Sequence, residues 1–290
     1  MMVEEAAVGV RKVAVIVGPG SKWDKGGSLE EFEPTVRWGL GGALALKFAH
    51  EGYHVALLAR RVDVSSLVVA EILAQGRNAT AIQCDVASDE SVVAAFQEVL
   101  SLGNVEVLVF NGRLSLLFWC QVVLLGFFFF LVGTPFPEGT TFATLPKPHE
   151  INPEDFTRCY NISVTGCVRC VQQVVPGMLE RGKGSVLLSG ATMSIRGGAK
   201  FSSLAPAKFA LRALGQSMFQ EYAPQSVHVA HVLVDGVIDS PGTRAWGEKV
   251  QLMNPADVAN VYWHLHTQPS TVWSYEMQVG PKRGCVGMRM

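Results

Sequence analysis

Charge is scarce in this chain of 290 residues: Asp, Glu, Lys and Arg make up 17%, and 24 Lys and Arg against 25 Asp and Glu leave a formal net charge of −1. Without a basic field there is no counterion-releasing surface of the kind that drives nucleic-acid binding, which argues against a dedicated DNA- or RNA-binding protein. Disulfide patterning is missing as well. Six cysteines, at 84, 120, 159, 167, 170 and 285, follow no regular spacing, which disfavours a disulfide-built secreted scaffold and points to a reducing compartment. Glu4 and Glu5 stand where a signal peptide needs positive charge, and the Arg-rich, acid-poor composition of a transit peptide is absent, so cytoplasmic residence is expected. Neither an internal repeat nor a linker is visible, and residues 1–290 are expected to form one domain. What is abundant is apolar residues, at 49%, together with 29 Gly and 14 Pro, which suit a large buried core with many turns better than a helical bundle.

Short β-branched runs alternate with helical patterns, as in a parallel sheet covered by helices on both faces. Val13–Val17 is wholly apolar, the composition of a strand buried on both sides. A helix over Leu40–His50 follows, stopped by Gly52, then a strand over His54–Leu58, a helix over Val64–Ala74 stopped by Gly76, and a strand over Ala79–Gln83. Next come a helix from Ser88 to Leu100 and a strand over Val105–Phe110. Beyond them, Asn152-Pro153 and Asn254-Pro255 read as helix starts, the Asn capping free amides and the Pro occupying the first helical position. A long helix over Tyr160–Glu180, a strand over Ser185–Leu188, a helix over Ser203–Tyr222, a strand over Val227–Val232 and an edge strand over Tyr275–Val279 complete the pattern. The fold class predicted is α/β, a doubly wound parallel sheet of Rossmann-like type, whose ligand site lies at the carboxyl ends of the strands.

Gly18-Pro19-Gly20 follows the first strand directly, and Gly39-Leu40-Gly41-Gly42 opens the first long helix. Glycine is wanted at such places because a missing side chain lets backbone amides approach a pyrophosphate, to which the helix N-terminus adds its dipole. With all but one residue of Ser21–Trp38 set aside, the spacing Gly18-Pro19-Gly20-x-Gly39-Leu40-Gly41 resembles the Gly-x-x-x-Gly-[Ile/Leu]-Gly signature of the short-chain dehydrogenase/reductase family. The resemblance extends to Cys84-Asp85-Val86, similar to the family's Asp-Val pair, and to Phe110-Asn111-Gly112, similar to its Asn-Ala-Gly. Asp235-Gly236-Val237-Ile238-Asp239-Ser240 sits where the family has Pro-Gly-x-[Val/Ile]-x-Thr, the loop that covers the nicotinamide.

The resemblance implies a cofactor site built from Gly18, Gly20, Gly39, Leu40, Gly41, Asp85, Val86, Asn111, Lys208, Gly236 and Ile238, with Asp85 meeting the adenine amino group. The choice of cofactor follows from charge. NAD-binding folds carry an acid at the end of the second strand, whereas this strand ends in Ala59-Arg60-Arg61, two guanidiniums able to clamp a 2′-phosphate. NADP is therefore expected, with NAD possible. Two solvated arginines at a strand end are the plainer reading.

The catalytic positions depart from the family, whose Tyr-x-x-x-Lys places a phenol and an ammonium on one helix face. Lys208 fits the lysine, but the tyrosine position is Leu204, and the serine that binds the substrate oxygen falls on Ala191. The family's Asn aligns with Ser163, or with Asn161 if the helix shifts. Lys208 and Ser163 are thus the catalytic candidates, and the hydroxyls of Ser189, Thr192, Ser194, Ser202 and Ser203 are possible substitutes for the phenol. Two functions stay open: an atypical NADP-dependent oxidoreductase passing hydride between nicotinamide and a small carbonyl or alcohol substrate, and a catalytically silent nucleotide-binding or interaction protein. A homo-oligomer is implied by the resemblance alone.

Cys167 and Cys170 have redox or metal spacing but no second pair, so packing is expected. His264 and His266 point different ways on a helix, and His228 and His231 fall on opposite faces of a strand, so no metal site is predicted. The helix carrying Tyr262 and Trp263 is expected at a subunit or substrate-pocket edge. Two inserts interrupt the family pattern, at about 21–38 and 113–133, and both are expected to loop out from the sheet. Leu114–Gly133 runs without charge for the length of a membrane-spanning helix, yet a single span would separate the two halves of the sheet. Unspliced non-coding sequence, a hydrophobic surface or dimer element and a membrane anchor are the three readings of it.

Overall fold

The computed structural model of the protein describes residues 10–20, 31–112, 147–199, 201–248 and 250–282. In chain order the elements are β1 (Lys12–Val17), α1 (Pro34–Arg37), α2 (Gly39–His50), β2 (His54–Ala59), α3 (Val62–Ala74), β3 (Ala79–Gln83), α4 (Asp89–Ser101) and β4 (Asn104–Phe110). They continue with α5 (Pro153–Tyr160), α6 (Gly166–Glu180), β5 (Gly184–Ser189), α7 (Leu204–Tyr222), β6 (Val227–Val234), β7 (Val237–Ile238), β8 (Leu252–Met253), α8 (Pro255–Thr267) and β9 (Glu276–Val279).

Seven strands form one parallel sheet in the order β3-β2-β1-β4-β5-β6-β9. Along β1 the apolar side chains divide between two cores. Val13, Val15 and Val17 meet α4, α6 and α7, while Ala14 and Ile16 meet α2, α3 and α8. A strand with both faces covered has no polar face to offer, which is why the run is continuous rather than alternating. The strand order reverses beside β1, between β2 and β4, and the crevice outside the carboxyl ends at that point is where such sheets bind ligands.

The two predicted Asn caps are formed, and Ser88 supplies a third. Ser88 Oγ accepts from the Ser91 amide at 3.2 Å, and the Asn152 and Asn254 side chains accept from the Glu154 and Ala256 amides, each at 2.8 Å. Gly52 and Gly76 end α2 and α3 with φ of +89° and +69°. The long helix predicted from Tyr160 starts earlier, at Pro153, and passes through a π turn over Asn161–Thr165 before becoming α6. β6 runs to Val234 rather than Val232 because β9 pairs alongside its last residues, Val232 with Met277 and Val234 with Val279.

The first insert does not simply loop out. Its last residues turn once as α1, with Pro34 in the first helical turn, and Val36 and Trp38 are 6% and 4% exposed. Trp38 joins the core of α2, α3 and α8, so the apolar side chains of the insert have an inward face to fill. Residues 21–30 and the whole second insert, 113–133, lie outside the described residues. Among the described residues no helix is long and apolar enough to cross a membrane.

Candidate active site

The glycine turn closes in spite of the insert. Gly18 leaves β1 with φ +80°, its amide on Leu58 O at 3.0 Å, and Gly39 enters α2 with φ +64°. A Cβ on Gly41 would overlap the Gly18 carbonyl oxygen and stand 2.8 Å from Pro19 Cα, so the two halves of the motif touch backbone to backbone. Leu40 lies between them, half-buried. Asn111 locks the junction with β4: its Nδ2 donates to Gly18 O at 3.0 Å and its amide to Val17 O at 3.0 Å. Gly20 lies against α3, where a Cβ would come 2.6 Å from Val64 Cγ1. The side chains at the β2–α3 junction, Arg60 and Arg61, are exposed, and among the described residues neither has an acidic partner.

Asp85 ends the next strand in a local turn, its Oδ1 accepting from the Ala87 amide at 3.0 Å while its own amide donates to Ser91 Oγ at 2.9 Å. Val86 turns its side chain into the core against Gly166, and its carbonyl oxygen accepts from Arg169 Nη1 at 3.3 Å. On the far side of the crevice Gly236 fits under Met253, whose Sδ would be 2.5 Å from an added Cβ, and Ile238 pairs with Met253 in a small β7–β8 sheet that the sequence pattern did not reveal.

Lys208 is 8% exposed in the second turn of α7, and its Nζ donates to Ser189 O, the end of β5, at 2.8 Å. A buried ammonium needs such a partner, and a backbone carbonyl holds it without removing its charge. Leu204, one turn earlier, packs against the core, and Ala191 lies just past the end of β5 with its amide on Ser194 Oγ at 3.1 Å. Ser163 sits in the π turn, wholly buried, its hydroxyl facing the Cys159 thiol and making no regular hydrogen bond. Asn161 points away to Arg169, whose Nη1 donates to Asn161 Oδ1 at 2.9 Å while its Nε pairs with Asp89 at 2.6 Å.

Of the substitute hydroxyls, Ser189 is engaged with the Tyr262 hydroxyl at 2.7 Å, and Thr192 donates to Asp235 at 2.5 Å. Tyr262 is fully buried and Trp263 packs edge-on against Phe48 at 5.6 Å between ring centroids, so α8 lies against the sheet and α2 rather than at a pocket edge. Cys167 and Cys170 are packing residues in α6, and burial pushes the Cys167 thiol up to about 12. Among the described residues no three potential metal ligands are grouped together.

Sequence reasoning passed over His231. Its Nδ1 donates to Glu276 Oε2 at 2.9 Å, and Glu276 accepts two bonds from Arg212, at 2.6 and 2.7 Å. Its Nε2 is buried without a partner beside Gly190, which has no side chain to obstruct it. Burial pushes this imidazole down to about 4, outweighing the pull of Glu276. The spacing with His228 carried no sign of it, because Glu276 is supplied by another strand.

The short chain dehydrogenase family model matches residues 36–117 and 139–251, most of the chain, and passes over part of the second insert. The chain belongs to the short-chain dehydrogenase family. Its members are oxidoreductases acting on alcohol and carbonyl groups. Glycine betaine reductase ATRR of Emericella nidulans is 27% identical over 285 residues, covering 93% of this chain, which spans only 19% of that protein's length. A short-chain dehydrogenase from Rhodopseudomonas palustris is 27% identical with a TM-score of 0.68, covering 93% of this chain and 98% of that one. A metagenomic short-chain oxidoreductase in complex with NADP shares the fold at 20% identity and a TM-score of 0.69, covering 93% and 97% of the two chains. This short-chain fold suits a nicotinamide dinucleotide, because backbone and not side chain lines the mouth of the Gly18–Gly41 turn and two exposed arginines stand at the end of β2.

Proposed function

We propose that the chain is an NADP(H)-dependent oxidoreductase working between an alcohol and a carbonyl form of a small molecule, through an atypical site. The observation that supports it most is Lys208, a buried ammonium tied to Ser189 O at the same end of the sheet as the closed glycine turn. The backbone at Gly18, Gly20, Gly39, Leu40 and Gly41 would hold the diphosphate, and Arg60 and Arg61 the 2′-phosphate. Asp85 and the Val86 backbone lie on the adenine side, and Asn111, Gly236 and Ile238 on the nicotinamide side. When bound, the nicotinamide supplies or accepts a hydride. Lys208 holds the adjoining ribose, and Ser163 lies buried in the helix turn that α7 packs against. Family habit adds a homo-oligomer.

A second reading is favoured by Leu204 and Ala191, which offer no proton and no hydrogen bond to a substrate oxygen: a silent nucleotide binder. Titration of the purified chain with NADPH and NADH by cofactor fluorescence, followed by turnover assays on a panel of alcohols and carbonyl compounds, separates the readings. Binding of NADPH ahead of NADH with turnover supports the oxidoreductase, binding without any turnover supports the silent binder, and no binding of either cofactor overturns both.

A further inference from the structure

Thr192 follows Ala191 directly and opens a short 3-10 turn, Thr192–Ser194, at the carboxyl end of β5. Asp235 follows β6 directly and precedes Gly236, so both residues stand at the ligand end of neighbouring strands. Thr192 is half-buried and Asp235 wholly buried. Thr192 Oγ1 donates to Asp235 Oδ1 at 2.5 Å, and Gln278 Nε2 donates to Oδ2 at 3.1 Å. So short an O–H···O contact belongs to a charge-assisted bond, a hydroxyl giving its proton to a carboxylate. The family resemblance puts proline at 235, a residue with no side-chain acceptor, so this chain gains an acid one strand away from the lost serine and tyrosine positions.

We propose that Thr192 and Asp235 form the pair that takes the proton of an alcohol substrate, in place of the absent phenol. The proposal rests on the oxidoreductase reading above and gives it a direction. A hydroxyl has one proton to donate and lone pairs with which to accept. Thr192 has committed its proton to Asp235, so towards a substrate it can only accept, and the oxygen it serves must carry a hydrogen. A carbonyl oxygen does not; an alcohol does. Threonine alone is too weak a base, and the buried carboxylate behind it supplies the driving force. As the alcohol carbon gives its hydride to oxidised nicotinamide, the alcohol proton passes to Thr192 Oγ1 and the Thr192 proton to Asp235 Oδ1. The products are a ketone or aldehyde, reduced nicotinamide and a protonated Asp235. Of the ionisable groups near the pair, Lys208 is bound to Ser189 O, His231 Nδ1 to Glu276, and Asp239 is paired with Arg244.

Asp235→Asn, Thr192→Val and Thr192→Ser test the pair in the full chain, with two readouts. In the apoprotein, infrared spectra are expected to show a buried-carboxylate band that is missing in Asp235→Asn, shifted in Thr192→Val and back in place in Thr192→Ser. With NADP+ and a panel of secondary alcohols, Asp235→Asn and Thr192→Val are expected to lower kcat for oxidation by about 100-fold, the scale of one acid–base group, while NADPH affinity holds. Thr192→Ser is expected to restore the rate. The pair is overturned if Asp235→Asn keeps the wild-type rate and pH profile, if the wild type binds NADPH yet oxidises none of the panel, or if Thr192→Ser fails to rescue. Lack of NADPH binding in the wild type would instead overturn the oxidoreductase reading itself, and the pair with it.

Discussion

Gly41 meets Gly18 backbone to backbone across an insert of some eighteen residues, and Asn111 holds the same Gly18 carbonyl from the neighbouring strand at 3.0 Å. Neither glycine tolerates a Cβ: at Gly41 it would overlap the Gly18 carbonyl, and at Gly18 it would stand 2.8 Å from Asn111 O in a backbone with φ +80°. Gly41→Ala is therefore expected to force α2 away from β1, with an overpacking cost of about 1–3 kcal/mol and a much larger loss in NADPH affinity. Thermal unfolding and a fluorescence titration of one preparation check both. Full NADPH binding by Gly41→Ala would show that the turn takes no part in the cofactor site.

Much of the fold could be read from residues whose local chemistry and tertiary role agree. Val13–Val17 is apolar because both sides of β1 are covered, and Asn152 and Asn254 cap where their side chains predict. The features that escaped are pairings between distant segments. Nothing near His231 announces Glu276, nothing near Thr192 announces Asp235, and Trp38 reads as insert sequence until α2, α3 and α8 are seen to enclose it. Spacing favours Ser163 over Asn161 only if the helix register is regular; a π turn there shifts the register, and packing decides which side chain turns inward.

His231 and His266 make the fold sensitive to acid. His266 bridges Tyr53 at 2.7 Å and Ser185 at 2.9 Å, and burial pushes both imidazoles down to about 4. In the unfolded chain each takes up a proton near its ordinary value of about 6.5, so across the window below that the unfolded state binds more protons and stability rises with pH. Their contribution is complete above about pH 6.5 and is lost towards about pH 4, by roughly 1–2 kcal/mol per histidine at about pH 5. Urea unfolding midpoints should fall steadily over that range, and His266→Gln should flatten the slope while lowering the neutral-pH midpoint. A midpoint independent of pH there would contradict neutral burial of these rings.

Arg60 and Arg61 are exposed at the end of β2 beside an α3 that begins at Val62. A guanidinium bonding a 2′-phosphate contributes on the scale of a charge-assisted hydrogen bond, so Arg60→Ala and Arg61→Ala should each weaken NADPH about tenfold to hundredfold and leave NADH unaltered. Equal losses for both cofactors would place the arginines on a shared part of the dinucleotide, and no loss for either would make them solvated surface residues.

Leu204 stands one helical turn before Lys208, and Ala191 stands one residue before Thr192, so Leu204→Tyr with Ala191→Ser restores the family's Tyr and Ser while keeping both members of the Thr192–Asp235 pair. If the chain is merely a silenced reductase, the double substitution should raise turnover by about 100-fold or more, the effect of supplying a positioned acid. With Thr192 and Asp235 already handling the proton, the expected result is a change within about tenfold, and the remaining rate should still depend on Asp235. The decisive comparison is the double variant with and without Asp235→Asn. A rate that becomes indifferent to Asp235 once tyrosine is present shows two interchangeable proton routes converging on one substrate oxygen, whereas a rate that collapses in both backgrounds places Asp235 on a path that the phenol cannot replace.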